Sequence, residues 1–391
     1  MNWLLTVTGP DAPGITSALT EILARANAPL KDIEQVVVQG QLTLCLLVDT
    51  NFENSAGQAL LNELVFYAKK LGQELSYRLI PDVWPQDDKR RYALTVMAEP
   101  VTAEVMHQIS TLLASHRANI EGIRRLSHGD LSSLEIGLSI LESDAAILKQ
   151  ALLRELAENN VDIALQRESL TRRNKRLVVL DMDSTLIQNE VIDELARAHG
   201  VYEAVSAITH RAMSEGLDFA ESLRQRVALL KGLPTSAINQ IVKGLELSPG
   251  AKDLIRVLRR LGYQIGIISG GFEQAASYLK DLLGLDFYYA NRLEEKDGLL
   301  TGKVIAPIVD AHRKADLLDT IAQSKKIPLE QTIAIGDGAN DALMLAKAGL
   351  GIAFHAKAIL KQSADTTISA GGLERILYLL GIHGREIHEF L

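Results

Sequence analysis

The sequence has little of what a disulfide framework, a membrane span or a secretion signal would need. Cys45 is the only cysteine among 391 residues, so no internal disulfide can form, and its apolar strand-like surroundings predict a buried, inert thiol. Uninterrupted apolar runs stay well below the roughly 18 residues of a membrane span. The first residues lack the basic region, long apolar segment and cleavage site of a signal peptide, which predicts a cytoplasmic protein.

A large positive charge is also absent. The formal net charge is -8 at pH 7, and lysine and arginine form no long stripe, so neither nucleic acid nor an anionic membrane is an expected partner. The apolar fraction of 47% and the charged fraction of 23% are ordinary for a globular protein. A chain of this length predicts about two to three domains.

The first half of the chain repeats itself. Leu5-Thr6-Val7 recurs as Leu94-Thr95-Val96. Each copy continues with the same series of predicted helices and strands, which gives the order β-α-β-β-α-β. The predicted elements lie at about 14–27, 32–38, 42–49, 55–71 and 73–80, and again at 101–115, 119–126, 132–140, 144–159 and 161–167. This order is the ferredoxin-like pattern. We therefore expect two such domains, at 1–80 and 90–168, joined by a linker rich in proline and acidic residues.

From residue 176 to 391 strands alternate with helices. The apolar runs of this third domain predict a doubly wound α/β fold, whose parallel sheet is covered on both faces. The predicted strands lie at 177–181, 264–269, 287–290, 332–336, 350–354 and 366–368. The interval at about 187–248 reads as mostly helical, and a structureless loop of that length is improbable. It therefore predicts a helical cap inserted over the strand ends.

Two carboxylates leave the end of the first of these strands. Asp181 follows an apolar run, and Asp183 comes two residues later. Residues i and i+2 share a face of a strand, so the carboxylate of Asp181 and either the backbone or the side chain of Asp183 can approach one centre. Open α/β sheets bind ligands at the carboxyl ends of their strands. This geometry suits phosphoryl chemistry.

Three further features follow in order along the chain. Ser269 and Gly270 end a predicted strand with a hydroxyl group and accessible backbone N–H groups, which can bind phosphate oxygens. Lys314, at a predicted helix start, supplies a positive charge for both phosphate and nucleophile. Asp337 ends another strand. The oxygen ligands Asp181, Asp183 and Asp337, without a nearby histidine or cysteine cluster, favour Mg²⁺, and such a site also accepts Mn²⁺.

Together these motifs resemble those of the haloacid dehalogenase superfamily, and most closely its phosphoserine phosphatases. The matching segments are Asp-x-Asp-Ser-Thr, Ser-Gly-Gly-Phe, the lysine and Gly-Asp-Gly-Ala-Asn-Asp, over roughly residues 176–391. The resemblance implies that Asp181 attacks phosphorus and that Asp183 is the general acid and base. It further implies that Asn340 contacts phosphate or a metal-bound water, and that Asp341 supports the metal ligands. As a plain alternative, the last two residues would only cap a helix.

The same resemblance implies that four cap residues contact the substrate: Glu190, Met213, Phe219 and Arg226. Phosphoserine bears an ammonium and a carboxylate, which a glutamate and an arginine complement. Without the resemblance, Glu190 and Arg226 would read as a solvated ion pair, and Met213 and Phe219 as core residues. Of the two arginines at 224 and 226, only Arg226 matches the substrate position.

The repeated domains resemble ACT domains, the small regulatory modules that bind amino acids. The turn containing Asp11 and Gly14 resembles the ACT ligand loop, and it would present helix N-terminal N–H groups to a carboxylate. The second copy has Ala98-Glu99-Pro100 there and lacks this pattern. Two interpretations stay open: an effector site for L-serine, or domains that only stabilise a homodimer.

The resemblance implies a Mg²⁺-dependent phosphatase that hydrolyses O-phospho-L-serine to L-serine and phosphate through an aspartyl-phosphate, the last step of L-serine biosynthesis. A phosphotransferase that passes the phosphoryl group to another hydroxyl would share this intermediate. An amino-acid sensor with a degenerate phosphatase half is the alternative of a different class, and the intact carboxylate set argues against it.

Overall fold

The structure of the chain, a computed structural model, describes residues 1–81, 89–127, 131–156, 160–215, 218–356, 360 and 364–390, with the main chain alone for 213–215. The chain divides into two compact units, Met1–Asp87 and Asp88–Leu391. The first unit holds one of the predicted repeats. The second unit holds the other repeat together with the doubly wound part, so these two predicted domains share one compact body.

The first unit has the predicted β-α-β-β-α-β order. Its elements are β1 (Asn2–Pro10), α1 (Ile15–Arg25), β2 (Leu30–Val38), β3 (Gln41–Asp49), α2 (Ser55–Lys70) and β4 (Glu74–Ile80). The strands form an antiparallel sheet in the order β2-β3-β1-β4. Alternate residues of β3, including Leu42, Leu44 and Leu46, are buried in one core with apolar residues of both helices. This period-2 pattern is the reason that the sequence predicted the strand.

The second repeat has the same order and its own core. Its elements are β5 (Lys89–Ala98), α3 (Ala103–Ser115), β6 (Asn119–Arg125), β7 (Ser132–Leu141), α4 (Glu142–Glu155) and β8 (Asp162–Arg167). Thr102 caps α3 by accepting a hydrogen bond from Val105 N at 3.3 Å. A short helix, α5 (Leu170–Arg173), leads from this repeat into the doubly wound part.

The doubly wound part begins with a completely buried strand. Its strands are β9 (Leu177–Leu180), β10 (Gln264–Phe272), β11 (Phe287–Lys296), β12 (Leu299–Ile305), β13 (Thr332–Gly336), β14 (Gly351–Phe354) and β15 (Thr366–Ile368). Helices between and after them are α10 (Ala251–Arg260), α11 (Glu273–Leu283), α12 (Ala311–Ser324), α13 (Ala342–Lys347), α14 (Ile376–Leu379) and α15 (Gly384–Phe390). The strands from β11 through β10, β9, β13 and β14 to β15 pair in parallel.

The second repeat extends this parallel sheet. In the described part of the chain the order of the sheet is β12-β11-β10-β9-β13-β14-β15-β8-β5-β7-β6. The joint is antiparallel, with Thr366 of β15 opposite Ala164 of β8. Both carboxylate oxygens of Asp162 accept from Ser369 N at 2.9 Å, and Thr366 Oγ1 donates to Ile163 O at 2.6 Å. The sequence predicted both sheets but not this pairing between them.

The antiparallel hairpin of β11 and β12 was not predicted, since the sequence analysis expected a strand only at 287–290. Its turn is formed by Asp297 and Gly298, whose φ angles are 53° and 76°. Positive φ at both positions is typical of the tight hairpin turns that Asp-Gly favours. The hairpin lengthens the edge of the sheet beside the cap.

The predicted helical cap is present between β9 and α10. It consists of α6 (Val191–His199), α7 (Tyr202–Glu215), α8 (Phe219–Ala228) and α9 (Thr235–Lys243). Leu195, Val205 and Leu223 of the cap share one buried cluster with Leu180 and Ile267 of the sheet. The cap therefore lies over the carboxyl ends of β9 and β10. Among the described residues, no helix combines the length and the apolar character needed to span a membrane.

Candidate active site

Asp181 stands at the carboxyl end of β9, in the middle of the parallel strands. Its backbone N–H donates to Ile335 O of the neighbouring β13 at 2.8 Å, which fixes where the strand ends. Its Oδ1 accepts from Met182 N at 2.8 Å. Because β9 is paired on both sides, the carboxylate is held at the edge where parallel sheets of this type bind ligands.

Lys314 faces this carboxylate from the first turn of α12. Its Nζ lies 2.9 Å from Asp181 Oδ2 and 2.7 Å from Asp341 Oδ1, and the side chain is 0% exposed. Burial lowers the pKa of Lys314, but the two carboxylates outweigh it and raise the pKa above its usual value. The lysine is therefore a fixed cation between two acids.

Three carboxylates converge beside this lysine. One oxygen atom each of Asp181, Asp337 and Asp341 lies within 4.8 Å of the others. Burial, reinforced by the charge of Asp181, raises the pKa of Asp337 to about 6 and that of Asp341 to about 7. Thr185 Oγ1 donates to Asp337 Oδ1 at 3.1 Å and holds it in place. Clustered carboxylate oxygens that repel one another fit a hard divalent cation such as Mg²⁺.

Asp183 lies in an irregular turn, Met182–Leu186, directly after Asp181. Its Oδ1 accepts from Val191 N at 3.0 Å, so its carboxylate points toward the start of α6 and is not one of the three that converge. Loss of water around the half-buried side chain raises its pKa well above the usual range, and Glu190 and Asp181 raise it further. A carboxyl group whose pKa is raised holds its proton more firmly than an ordinary aspartate, which suits a general acid.

Ser269 and Gly270 lie near the end of β10. Ser269 is buried, and its Oγ accepts from Gly271 N at 2.9 Å. A Cβ atom added to Gly271 would collide with the carboxylate of Asp183, and one added to Gly270 would meet the ring of Phe219 at 2.8 Å. Gly270 and Gly271 therefore lie where side chains of the cap and of the Met182–Leu186 turn approach this backbone closely.

The cap brings Glu190 and Arg226 toward the same turn. Glu190 Oε1 accepts from Ser184 Oγ at 2.8 Å, and Arg226 Nε donates to Ser222 O at 3.3 Å. Partial desolvation raises the pKa of Glu190, although this side chain remains exposed on one side. Desolvation lowers the pKa of Arg226. The charge of each residue opposes the shift of the other. Arg224 points away, with an exposed ion pair to Glu221 at 3.4 Å.

The other predicted residues differ in position. Asn340 is half-buried in a short 3-10 turn, Ala339–Asp341, beside Asp337. The side chain of Met213 lies outside the described residues. Asp11 and Gly14 belong to the first unit: Asp11 is exposed and its N–H donates to Gly40 O at 2.8 Å, and Gly14, at φ 97°, precedes α1.

Sequence reasoning missed two residues that hold this site together. Thr185 is fully buried and orients Asp337. Asn291, on β11, is also fully buried; its Nδ2 donates to Gly270 O and its Oδ1 accepts from Val309 N, both at 2.8 Å. A buried asparagine inside a strand is unusual. Asparagine is rare in strands, and its polar atoms need hydrogen-bond partners when they are buried. A polar residue within this apolar, strand-like segment was the sequence feature that could have identified Asn291.

Comparison with known families finds three matching segments in this chain. A profile described as haloacid dehalogenase-like hydrolase matches residues 175–349. Two profiles described as ACT domain match residues 2–78 and 91–166. The three matched segments follow one another along the chain without overlap.

Similar proteins cover nearly the whole chain. A phosphoserine phosphatase of Mycobacterium tuberculosis is 43% identical over 98% of this chain and 94% of its own length, and one of Streptomyces coelicolor is 42% identical over 98% and 93%. A solved structure described as a phospho-aspartyl intermediate analogue of phosphoserine phosphatase is 47% identical, with a TM-score of 0.50, over 52% of this chain and 98% of that chain.

Proposed function

This chain belongs to the phosphoserine phosphatase family, and from that premise we propose how its residues hydrolyse O-phospho-L-serine to L-serine and phosphate. The observation that carries the proposal is the buried contact between Lys314 Nζ and Asp181 Oδ2 at 2.9 Å. A carboxylate can attack a phosphate ester only if the charge repulsion between them is relieved. The reaction is the last step of L-serine biosynthesis.

Asp181 is the nucleophile. Its Oδ attacks phosphorus and forms an aspartyl-phosphate, while the bond from phosphorus to the serine oxygen breaks. Asp183 donates its proton to that oxygen, which avoids release of an alkoxide, and its raised pKa suits this role. Asp183 then takes a proton from a water molecule, which attacks phosphorus and frees both Asp181 and phosphate.

The carboxylates of Asp181 and Asp337, with the main-chain carbonyl of Asp183, would hold Mg²⁺, and Mn²⁺ would suit the same oxygen atoms. Bound there, the cation would neutralise charge on the phosphoryl oxygens. Asp341, which is hydrogen-bonded to Lys314 and to Gly338 N, would support these ligands from behind. Asp341 thus acts mainly by keeping the lysine in place.

The phosphate is bound by Ser269, Gly270, Lys314 and Asn340. In the cap, Glu190 receives the substrate ammonium and Arg226 its carboxylate, since opposite charges distinguish phosphoserine from other phosphate esters. Phe219, which packs on Gly270, closes the pocket. The family resemblance assigns Met213 to substrate binding as well. Ser184 orients Glu190 by its hydrogen bond of 2.8 Å.

The ACT domains suggest that the chain also binds an amino acid. We place L-serine, the product, at the turn of Asp11 and Gly14, where α1 begins and its free N–H groups suit a carboxylate. A homodimer and residence in the cytoplasm complete the proposal. If the domains serve dimerisation alone, L-serine will leave the activity unchanged.

Capture of the intermediate tests the mechanism. The full chain is mixed with Mg²⁺ and radiolabelled O-phospho-L-serine and quenched in acid within one turnover. Label on Asp181, located by mass spectrometry after digestion, is the expected result. Label on another residue, or none while phosphate is released, would contradict the aspartyl-phosphate route. Added amino-alcohol acceptors then distinguish hydrolysis from phosphotransfer, because a transferase would yield more phosphorylated acceptor than phosphate.

A further inference from the structure

Asn291 makes two hydrogen bonds that connect separate parts of the active site. It is 0% exposed on β11. Its Nδ2 donates to Gly270 O at 2.8 Å, and its Oδ1 accepts from Val309 N at 2.8 Å. Gly270 belongs to the proposed phosphate-binding backbone, and Val309 lies just before the helix that carries Lys314. Each of the two polar atoms of this side chain therefore has a hydrogen-bond partner.

The bond to Gly270 replaces strand pairing that is interrupted at this point. β10 and β11 pair in regular parallel register up to Ile268 and Tyr289, and they next pair at Phe272 and Asn291. Three residues of β10 therefore stand opposite one residue of β11. Such a bulge leaves backbone groups without ladder partners. The side-chain amide of Asn291 supplies one of the missing bonds.

The same peptide group also orients the Ser269 hydroxyl. Gly270 C=O and Gly271 N–H belong to one planar peptide unit. The oxygen of this peptide unit accepts a hydrogen bond from Asn291, and the N–H of the same unit donates to Ser269 Oγ at 2.9 Å. That bond occupies a lone pair of Oγ and leaves the hydroxyl proton free for a phosphate oxygen. Because glycines flank the unit, its backbone torsions are less restricted than those of other residues, and these two bonds help to fix its orientation.

The amide oxygen of Asn291 contacts the segment that leads into the helix of Lys314. Val309 N donates to Asn291, and the next residue, Asp310, caps α12 by accepting from Arg313 N at 2.8 Å. Lys314 N donates to Asp310 O at 2.8 Å, so the lysine lies in the turn that this cap begins. Asn291 thus links the start of α12 to the serine loop.

We propose that Asn291 is a positioning residue for the phosphatase reaction, whose amide sets the Ser269 hydroxyl and the Lys314 ammonium relative to one phosphoryl group. This inference rests on the proposed roles of Ser269 and Lys314. It adds to them a residue that touches neither substrate nor metal. The expected loss without it is kinetic, because small misplacements of catalytic groups reduce rates by up to about a hundredfold.

The test is a double-mutant cycle in the full chain, with kcat/KM measured on O-phospho-L-serine at saturating Mg²⁺. Asn291→Leu keeps the number and branching of heavy atoms but removes both bonds. We expect it to lower kcat/KM by about tenfold to a hundredfold. In a Ser269→Ala background the same change should lower it by a smaller factor, because the part of its effect that acts through Ser269 is already lost and only the part through Lys314 remains.

Thr332→Val is the matched control. Thr332 is equally buried at the opposite end of β13, and its Oγ1 also makes two hydrogen bonds, to Leu329 O at 2.7 Å and from Gly349 N at 3.2 Å. We expect a comparable loss of thermal stability and a change in kcat/KM of less than about twofold. If Asn291→Leu does not fold, Asn291→Ser, smaller and still polar, takes its place in the cycle.

The kinetic results distinguish a positioning role of Asn291 from a purely structural one. A change of less than twofold in the Asn291 variant, or a loss that is equally large with and without Ser269, would overturn the positioning role. An unsubstituted chain that releases no phosphate from phosphoserine would instead contradict the proposed function. The two failures are therefore distinguishable in one set of measurements.

Discussion

Lys314 Nζ and Asp181 Oδ2 lie 2.9 Å apart, and Asp341 Oδ1 contacts the same ammonium at 2.7 Å from the other side. The lysine is wholly buried, so its charge acts on Asp181 with little screening by water. It can hold Asp181, the proposed nucleophile, in place and also stabilise the negative charge of a phosphoryl group. Both effects depend on a cation at this one position.

Replacement of this cation should therefore remove activity. We predict that Lys314→Met lowers kcat/KM for phosphoserine at least a hundredfold, roughly the effect of removing one preorganised charge donor. Lys314→Arg should not restore it, because a planar guanidinium cannot take the place of a compact ammonium held at 2.9 Å and 2.7 Å between two carboxylates. Phosphate release is measured beside a thermal melt that reports folding. A folded methionine variant with more than a tenth of the parent activity would refute the role of Lys314.

The cap residues should control specificity rather than chemistry. We predict that Arg226→Lys raises KM for O-phospho-L-serine about tenfold, because a bidentate carboxylate contact is lost, and leaves KM for 4-nitrophenyl phosphate unchanged. Arg224→Lys is the matched control, since Arg224 is 58% exposed and paired with Glu221. Equal effects of Arg226→Lys on both substrates would argue against recognition of the substrate carboxylate.

A buried ion pair predicts how the stability of the second unit depends on pH. Arg172 Nη2 lies 2.6 Å from Glu135 Oε2, and both side chains are almost inaccessible to water. Burial raises the pKa of Glu135, but Arg172 outweighs it and leaves the pKa below its ordinary value. This pair therefore stabilises the fold above the unfolded pKa of about 4.3, and its contribution disappears as the pH falls through the lower folded pKa.

Glu135→Gln should accordingly lower the free energy of unfolding by about 3 kcal/mol at pH 7, and by progressively less below pH 4. Urea denaturation at several pH values measures this. Glu142→Gln serves as the control, because Glu142 is exposed and its ion pair with Arg167, at 3.3 Å, contributes less than about 1 kcal/mol. A Glu135 effect that does not vary with pH would exclude a charge-based origin.

The first unit should make the enzyme sensitive to its product. We predict that L-serine inhibits the full chain and that Asp11→Asn weakens this inhibition severalfold without changing the uninhibited rate. Asp32→Asn, another exposed acid of the first unit, should leave inhibition intact. Analytical ultracentrifugation of the same samples reports the oligomeric state. A dimer that is insensitive to L-serine would favour the purely structural interpretation of the ACT domains.

Much of this fold followed from local patterns. β9 and β13 are short, wholly buried runs, and such runs flanked by helical periodicity are typical of parallel sheets. The cap helices at 191–199, 202–215, 219–228 and 235–243 follow from apolar periodicity within a segment too long for a loop. These features depend on neighbours in sequence, and the sequence therefore predicted them.

The missed features depend on neighbours in space. Thr366 bonds to Ile163, 203 residues away, and a strand edge gives no local sign of its partner. Asp341 was expected to support the metal ligands, and its carboxylate lies close to those of Asp181 and Asp337. Asp183 lies nearer in sequence, but its side chain turns toward Val191 N. Which carboxylates converge is decided by how the turns after β9 and β13 bend, not by spacing along the chain.

The most direct test is release of phosphate from O-phospho-L-serine by the full chain, with and without Mg²⁺, beside O-phosphothreonine, a sugar phosphate and the variant Asp181→Asn. We predict strong, Mg²⁺-dependent preference for phosphoserine and, because the variant lacks its nucleophile, activity below about a thousandth of the parent. Circular dichroism would confirm that the variant is folded. A folded Asp181→Asn chain with activity within tenfold of the parent would contradict the account.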